Sequence, residues 1–154
     1  MSDTLRGMHP TASPTDGAEF IHLDRSESLG LLHRVPIGRL IFTVSALPAV
    51  RPMNFVLVDD LIVLRTAADS TVARKVDGEV VAFEVDELDV AARSGWSVVI
   101  HGYASVVNDR QTISRLKSVP LVSWAPGKRD QFITITTEMV EGRRVRHGDV
   151  AVQR

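Results

Sequence analysis

Apolar side chains in this chain mostly alternate with polar ones or fall in short continuous runs, and glycine, proline and aspartate interrupt them at intervals. Residues 38–45 and 50–58 read as two strands, an antiparallel pair joined across a short turn containing Leu47-Pro48. Asp59-Asp60 then turns the chain into the apolar run 61–64. Further strands are predicted over 80–86, 95–107 and 131–137, and a short edge strand from Val140 ending in Arg143-Arg144. Helical spacing is confined to three short segments. The first carries Leu29, Leu31 and Leu32 behind a cap at Asp24 or Ser26, the second is 71–76, and the third is 109–116 with Ile113 and Leu116 on one side. Strands outnumber helices by about two to one and follow one another directly, which disfavours a doubly wound parallel sheet and favours a small antiparallel barrel.

Residues 1–18 are rich in Thr, Ser, Pro, Asp and Gly and lack apolar periodicity, so they are expected to form a disordered tail. That leaves residues 19–154 as a single domain, a size ample for one core. A net charge of -1 provides no general attraction for nucleic acid or anionic membrane, so any anion site must be local. No apolar run reaches the roughly 20 residues of a membrane span, and the N-terminus lacks the order of a secretory signal. A cytoplasmic protein is expected.

Several chemistries drop out. The chain has no cysteine, which excludes disulfides, thiolate metal sites and thiol catalysis. His9, His22, His33, His101 and His147 neither pair at helical spacing nor cluster with carboxylates, so no metal site is expected. Phosphate-loop, dinucleotide-loop and nucleophile-elbow motifs are missing. Glu84 and Asp86 share a strand face but continue into Glu87 and Asp89, the pattern of a solvated edge.

What remains is chemistry at strand ends. Arg65 and Thr66 close one apolar run, while Gly95, Trp96 and Ser97 open another, so an anion and a planar ring could share the junction. Arg65 presents a planar fork of donors suited to phosphate, or else forms a surface ion pair. Ser70 and Thr71 begin a helical segment whose first N–H groups could grip an anion, or Asp69 or Ser70 simply caps it. Pro52 removes a ladder donor and marks an edge or irregularity next to Met53 and Asn54. Trp96 suits either a core or an interface anchor. His101 shares a strand face with Val99 and Tyr103.

In order along the chain stand Pro52-Met53-Asn54-Phe55, Arg65-Thr66, Asp69-Ser70-Thr71, Phe83-Glu84-Val85-Asp86, Gly95-Trp96-Ser97-Val98, Trp124-Ala125-Pro126-Gly127 and Gly142-Arg143-Arg144. Over roughly residues 29–145 this series resembles the pyridoxamine 5'-phosphate oxidase-like flavoproteins, in particular small actinobacterial-type members of unassigned substrate. The resemblance implies a mainly β fold, the FMN-binding split barrel: six antiparallel strands in Greek-key order, paired as a homodimer with FMN in clefts between subunits. Arg65, Thr66, Ser70 and Thr71 would hold the phosphate, Pro52, Met53 and Asn54 the ring, and Trp96 and Ser97 of the second subunit would close the cleft. One of Arg143 and Arg144 would approach the cofactor. The implied activity is that of an oxidoreductase on a small-molecule redox substrate, with no side chain needed as acid or base. The alternative is a cofactor-binding or regulatory module carrying flavin, F420 or haem, or none. Thr71 departs from the pattern, since many relatives carry lysine there; Arg74 and Lys75, one turn on, either compensate or are solvated charges.

Overall fold

The computed structural model describes residues 17–147. Its strands are β1 (Ala18–Leu23), β2 (Ile37–Val44), β3 (Leu47–Val58), β4 (Leu61–Thr66), β5 (Val80–Asp89), β6 (Ser94–Val106), β7 (Gln131–Ile135) and β8 (Met139–His147). Three short helices join them: α1 (Arg25–Leu31), α2 (Thr71–Val76) and α3 (Arg110–Lys117). Each helix begins on a polar cap. Asp24 accepts the Glu27 N–H at 2.8 Å while the Glu27 carboxylate accepts the Asp24 N–H at 3.2 Å, Ser70 caps α2, and Asp109 caps α3.

The sheet runs β1-β8-β6-β5-β2-β3-β4-β7, every neighbour antiparallel, and a β6–β7 pairing closes the six strands from β6 to β7 into a barrel. After β2, β3 and β4 the chain returns to place β5 beside β2, which is the Greek-key order. Alternation along β6 puts Trp96, Val98 and Ile100 inside and His101 and Tyr103 outside. Facing them in the core are Leu40, Phe83, Val85, Ile62, Leu64, Ile133 and Ile135. The run in β4 is apolar without alternation because both its faces are covered. Ile62 and Leu64 enter the barrel, while Val63 packs outside with Leu116 of α3, Leu121 and Phe132.

Strand β6 changes partners along its length. Residues 95–101 pair with β8, and 104–106 with β7. Gly102 sits at the branch, where an added Cβ would lie 1.7 Å from the Thr136 carbonyl oxygen. Only a residue without a side chain lets the third chain segment come that close.

Three expectations need correction. The hairpin turn between β2 and β3 is Ser45-Ala46, with φ of 49° and 64°, and Leu47-Pro48 belongs to the strand, Pro48 lying opposite Thr43. Proline is tolerated there because the first half of β3 pairs on one side alone, with β2. The C-terminal strand is not an edge, because β1 covers its other side in register from Ala18↔His147 to Leu23↔Gly142. The third concerns β1 itself, whose first residue, Ala18, falls within the segment expected to be a disordered tail; residues 1–16 lie outside the described part. With Phe20 54% exposed and only Ile21 and Leu23 half-buried about His22, β1 carries too short an alternation to read.

Candidate functional site

Strands β3 and β4 pair from Val58↔Leu61 only as far as Phe55↔Leu64. Beyond that point β3 continues along β2, and Arg65 and Thr66 of β4 continue along Phe132 and Gln131 of β7. The strands therefore part between Asn54 and Arg65, and residues of the loop between α3 and β7 fill the gap. A hollow of about 100 Å³ remains there, lined by Pro52, Met53, Asn54, Arg65, Leu121, Ser123, Ala125 and Arg129. Four residues singled out from the sequence thus meet at one place, and Pro52, opposite Arg39, lies in the stretch of β3 that pairs with β2 alone.

The Arg65 side chain is half-buried and directed by its neighbours. Its Nε donates to the Arg129 carbonyl oxygen, and its guanidinium lies 5.1 Å from the centre of the Phe132 ring. Among the described residues no carboxylate pairs with it, so the surface ion pair is not its role. Asn54 pins the neighbouring loop: its Oδ1 accepts the Trp124 N–H at 2.9 Å and its Nδ2 donates to the Pro36 carbonyl at 3.4 Å.

The remaining candidates fall elsewhere. Thr66 is buried and its hydroxyl donates to the Ala67 carbonyl at 3.3 Å. The Ser70 hydroxyl accepts the Ala73 N–H at 3.3 Å as the cap of α2. The Thr71 hydroxyl accepts from Arg74 at 3.3 Å, and Lys75 is exposed. Arg74 also lines an open polar hollow with Asp77, Asn108 and Gln131. Trp96 and Ser97 line a different, wider hollow of about 500 Å³ with Phe20, Leu88, Val90 and Arg143, none of which touches the Arg65 hollow. The Trp96 indole is buried in the core and its Nε1 donates to Glu87 at 3.4 Å. Arg143 places its guanidinium 5.8 Å from the Phe20 ring centre, and it is this arginine of the terminal pair that lines a hollow. His101 is exposed on the outer face.

Arg129 is the site residue that sequence reading missed. It sits in a loop without periodicity, 64 positions from Arg65, and only the folded chain brings the two together. No motif marks it.

One carboxylate is displaced from its ordinary behaviour. Glu84, on the outer face of β5, is raised from 4.5 to about 7, chiefly by burial and then by the adjacent Asp86, with Arg39 pulling the other way. Folding therefore favours its protonated form, a stabilisation complete below pH 4.5 and lost as pH rises toward 7. Glu84→Gln is expected to remove that loss. Solvent and Arg39 screen the site, so the gain is about 1 kcal/mol above pH 7. Thermal melts between pH 4.5 and 8 check it: the wild type should fall relative to the variant across that range, and parallel curves would contradict the assignment.

Among the described residues no helix is long and apolar enough to cross a membrane. An uncharacterised protein of Mycobacterium tuberculosis, Rv0080, is 40% identical over 139 residues, covering 87% of this chain and 91% of that one. The structure of an FAD binding protein from Mycobacterium smegmatis superposes with a TM-score of 0.73 at 30% identity, over 83% of this chain and all of the other, 100%. A conserved protein of unknown function from Corynebacterium diphtheriae superposes with a TM-score of 0.67 at 32% identity, over 80% of this chain and 96% of that one. The family model described as pyridoxamine 5'-phosphate oxidase matches residues 24–145, the whole barrel together with the parted strands and their arginine. By that match, and by the Greek-key barrel it spans, the chain belongs to the pyridoxamine 5'-phosphate oxidase family.

Proposed function

We propose that this chain binds a flavin, FMN in particular, and acts as a flavin-dependent oxidoreductase on a small redox substrate, as a homodimer. The observation that carries the reading is Arg65: a half-buried guanidinium without an acidic partner, opening into a hollow beside the segment 52–54. A half-buried cation without an anionic partner is what an anionic ligand completes. The relative from Mycobacterium smegmatis, an FAD binding protein by name, supports a flavin as that ligand.

The residues fit the group. Arg65 faces a phosphate from the strand end, and the backbone of Pro52, Met53 and Asn54, unpaired on one side, offers hydrogen-bonding groups to a ring edge. Trp96 and Ser97 lie at a separate hollow of the same chain, so they reach the same cofactor only from a second subunit. Val122 and Trp124, 71% and 68% exposed beside the Arg65 hollow, are apolar area that a ring or a second chain would cover. Thr66 takes part by positioning β4, its hydroxyl donating to the Ala67 carbonyl, while Ser70 and Thr71 accept hydrogen bonds within the first turn of α2 and keep their O–H groups to donate to the cofactor. When bound, the flavin accepts and returns the electrons, while the protein orients the ring and excludes water.

A second reading, a flavin or F420 carrier without turnover, is favoured by Thr71, where the family resemblance implies a lysine in many members. Two measurements separate the readings. Purified protein titrated with FMN should develop bound flavin absorbance, released on denaturation, and NADPH with a small quinone or nitroaromatic should then turn over. Binding without turnover supports the carrier; no binding of FMN, nor of FAD or F420 titrated in its place, overturns both readings.

A further inference from the structure

Two guanidinium groups, Arg65 and Arg129, line one small hollow, and no carboxylate lines it. Neither makes an ion pair among the described residues. Arg65 spends its Nε on the Arg129 carbonyl, which ties the two residues together and leaves its terminal nitrogens over. The Arg129 Nε is buried without any hydrogen-bond partner, while its Nη2 donates to the Pro126 carbonyl at 3.4 Å. Placing two like charges side by side is unfavourable, and burying a cationic N–H without an acceptor adds to it. One doubly charged anion held by their terminal nitrogens offsets that repulsion, and a single carboxylate would leave positive charge in excess; the Arg129 Nε, closed off from the hollow, is not part of the contact.

The remaining lining is suited to such a guest. Ser123 adds a polar group, Leu121 and Ala125 add apolar wall, and about 100 Å³ holds a phosphate-sized group, which leaves a ring to lie outside it along the free edge of 52–54. The N-terminus of α2 offers the neutral hydroxyls of Ser70 and Thr71, with Lys75 exposed, and brings no charge into this hollow.

We propose that Arg129 is a second anion ligand, forming with Arg65 a two-guanidinium site for a phosphomonoester dianion. Resting on the flavin reading above, that dianion is the terminal phosphate of FMN, and Arg129 supplies the charge that Thr71 does not.

The test uses the full chain and the variants Arg129→Gln and Arg129→Lys, with FMN, riboflavin and inorganic phosphate as probes. Arg129→Gln should weaken FMN at least tenfold and leave riboflavin affinity within about twofold, and Arg129→Lys should lie between it and the wild type, since lysine keeps the charge but not the fork. Inorganic phosphate should compete with FMN and not with riboflavin. FMN affinity unchanged in Arg129→Gln overturns the proposal; so does an equal loss of FMN and riboflavin, which would mark a structural role. Should the wild type bind no flavin, the flavin reading fails by itself. Inorganic phosphate then decides: raising the melting temperature of the wild type but not of Arg129→Gln upholds the dianion site, and no effect on the wild type overturns it.

Discussion

Replacing Gly102 with alanine is expected to destabilise the barrel by about 3 kcal/mol or more, at the upper end for overpacking. The new methyl would meet the Thr136 carbonyl oxygen at 1.7 Å and the Thr136 hydroxyl at 2.9 Å, and a backbone carbonyl cannot swing aside as a flexible side chain does. Thr136 is also held where it is. Its N–H donates to the Tyr103 carbonyl at 3.1 Å, and its hydroxyl accepts the Tyr103 N–H at 2.9 Å. Relief of the clash must therefore break the junction at which β6 leaves β8 for β7, and with it the closure of the barrel. The expected fall in melting temperature is roughly 6–12 °C, from about 2–4 °C per kcal/mol for a chain of this size. Gly30→Ala is the control, because a Cβ there meets nothing within 4 Å and alanine favours helix α1. Its melting temperature should hold or rise. A Gly102→Ala protein as stable as the wild type would show that the branch point yields.

Arg65→Ala is expected to weaken FMN binding by about 10- to 100-fold. Charge-assisted hydrogen bonds contribute about 1.5–3 kcal/mol each, and 1.4 kcal/mol is a factor of ten. A surface arginine would change affinity by less than about 1 kcal/mol. The larger figure applies because Arg65 is half-buried, braced on the Phe132 ring, and anchored through Nε to the loop, so its remaining donors are preorganised. Riboflavin, which lacks the phosphate, separates this effect from misfolding: its affinity should be unaltered. FMN affinity equal to the wild type would remove Arg65 from the site.

Most of the architecture was legible in the residues because most strands have one face in the core. Alternation marked β2, β5 and β6, the continuous apolar run marked β4, polar caps marked α1 and α2, and the spacing of Ile113 and Leu116 marked α3. Strand β1 escaped because it binds through backbone pairing to β8 and buries little of its own surface. The turn was misplaced for a related reason. Pro48 reads as a breaker, yet it is harmless where β3 lacks a second neighbour, and Ser45-Ala46 takes the positive φ without glycine or asparagine to announce it. The candidate site was legible in part. Pro52, Met53, Asn54 and Arg65 converge because the register of β2, β3 and β4 delivers them to one seam. Arg129 could not be read from the chain, since its meaning lies in a carbonyl bonded to Arg65 and an Nε with nothing to bond.

Sedimentation of the protein with FMN, monitored both by protein and by flavin absorbance, tests most directly that the flavin sits in a cleft made by two chains. The expected result is flavin travelling with a species of about twice the chain mass of 16.9 kDa, two flavins to each pair of chains. Flavin that travels with the single chain, or stays behind while the protein sediments, would contradict it.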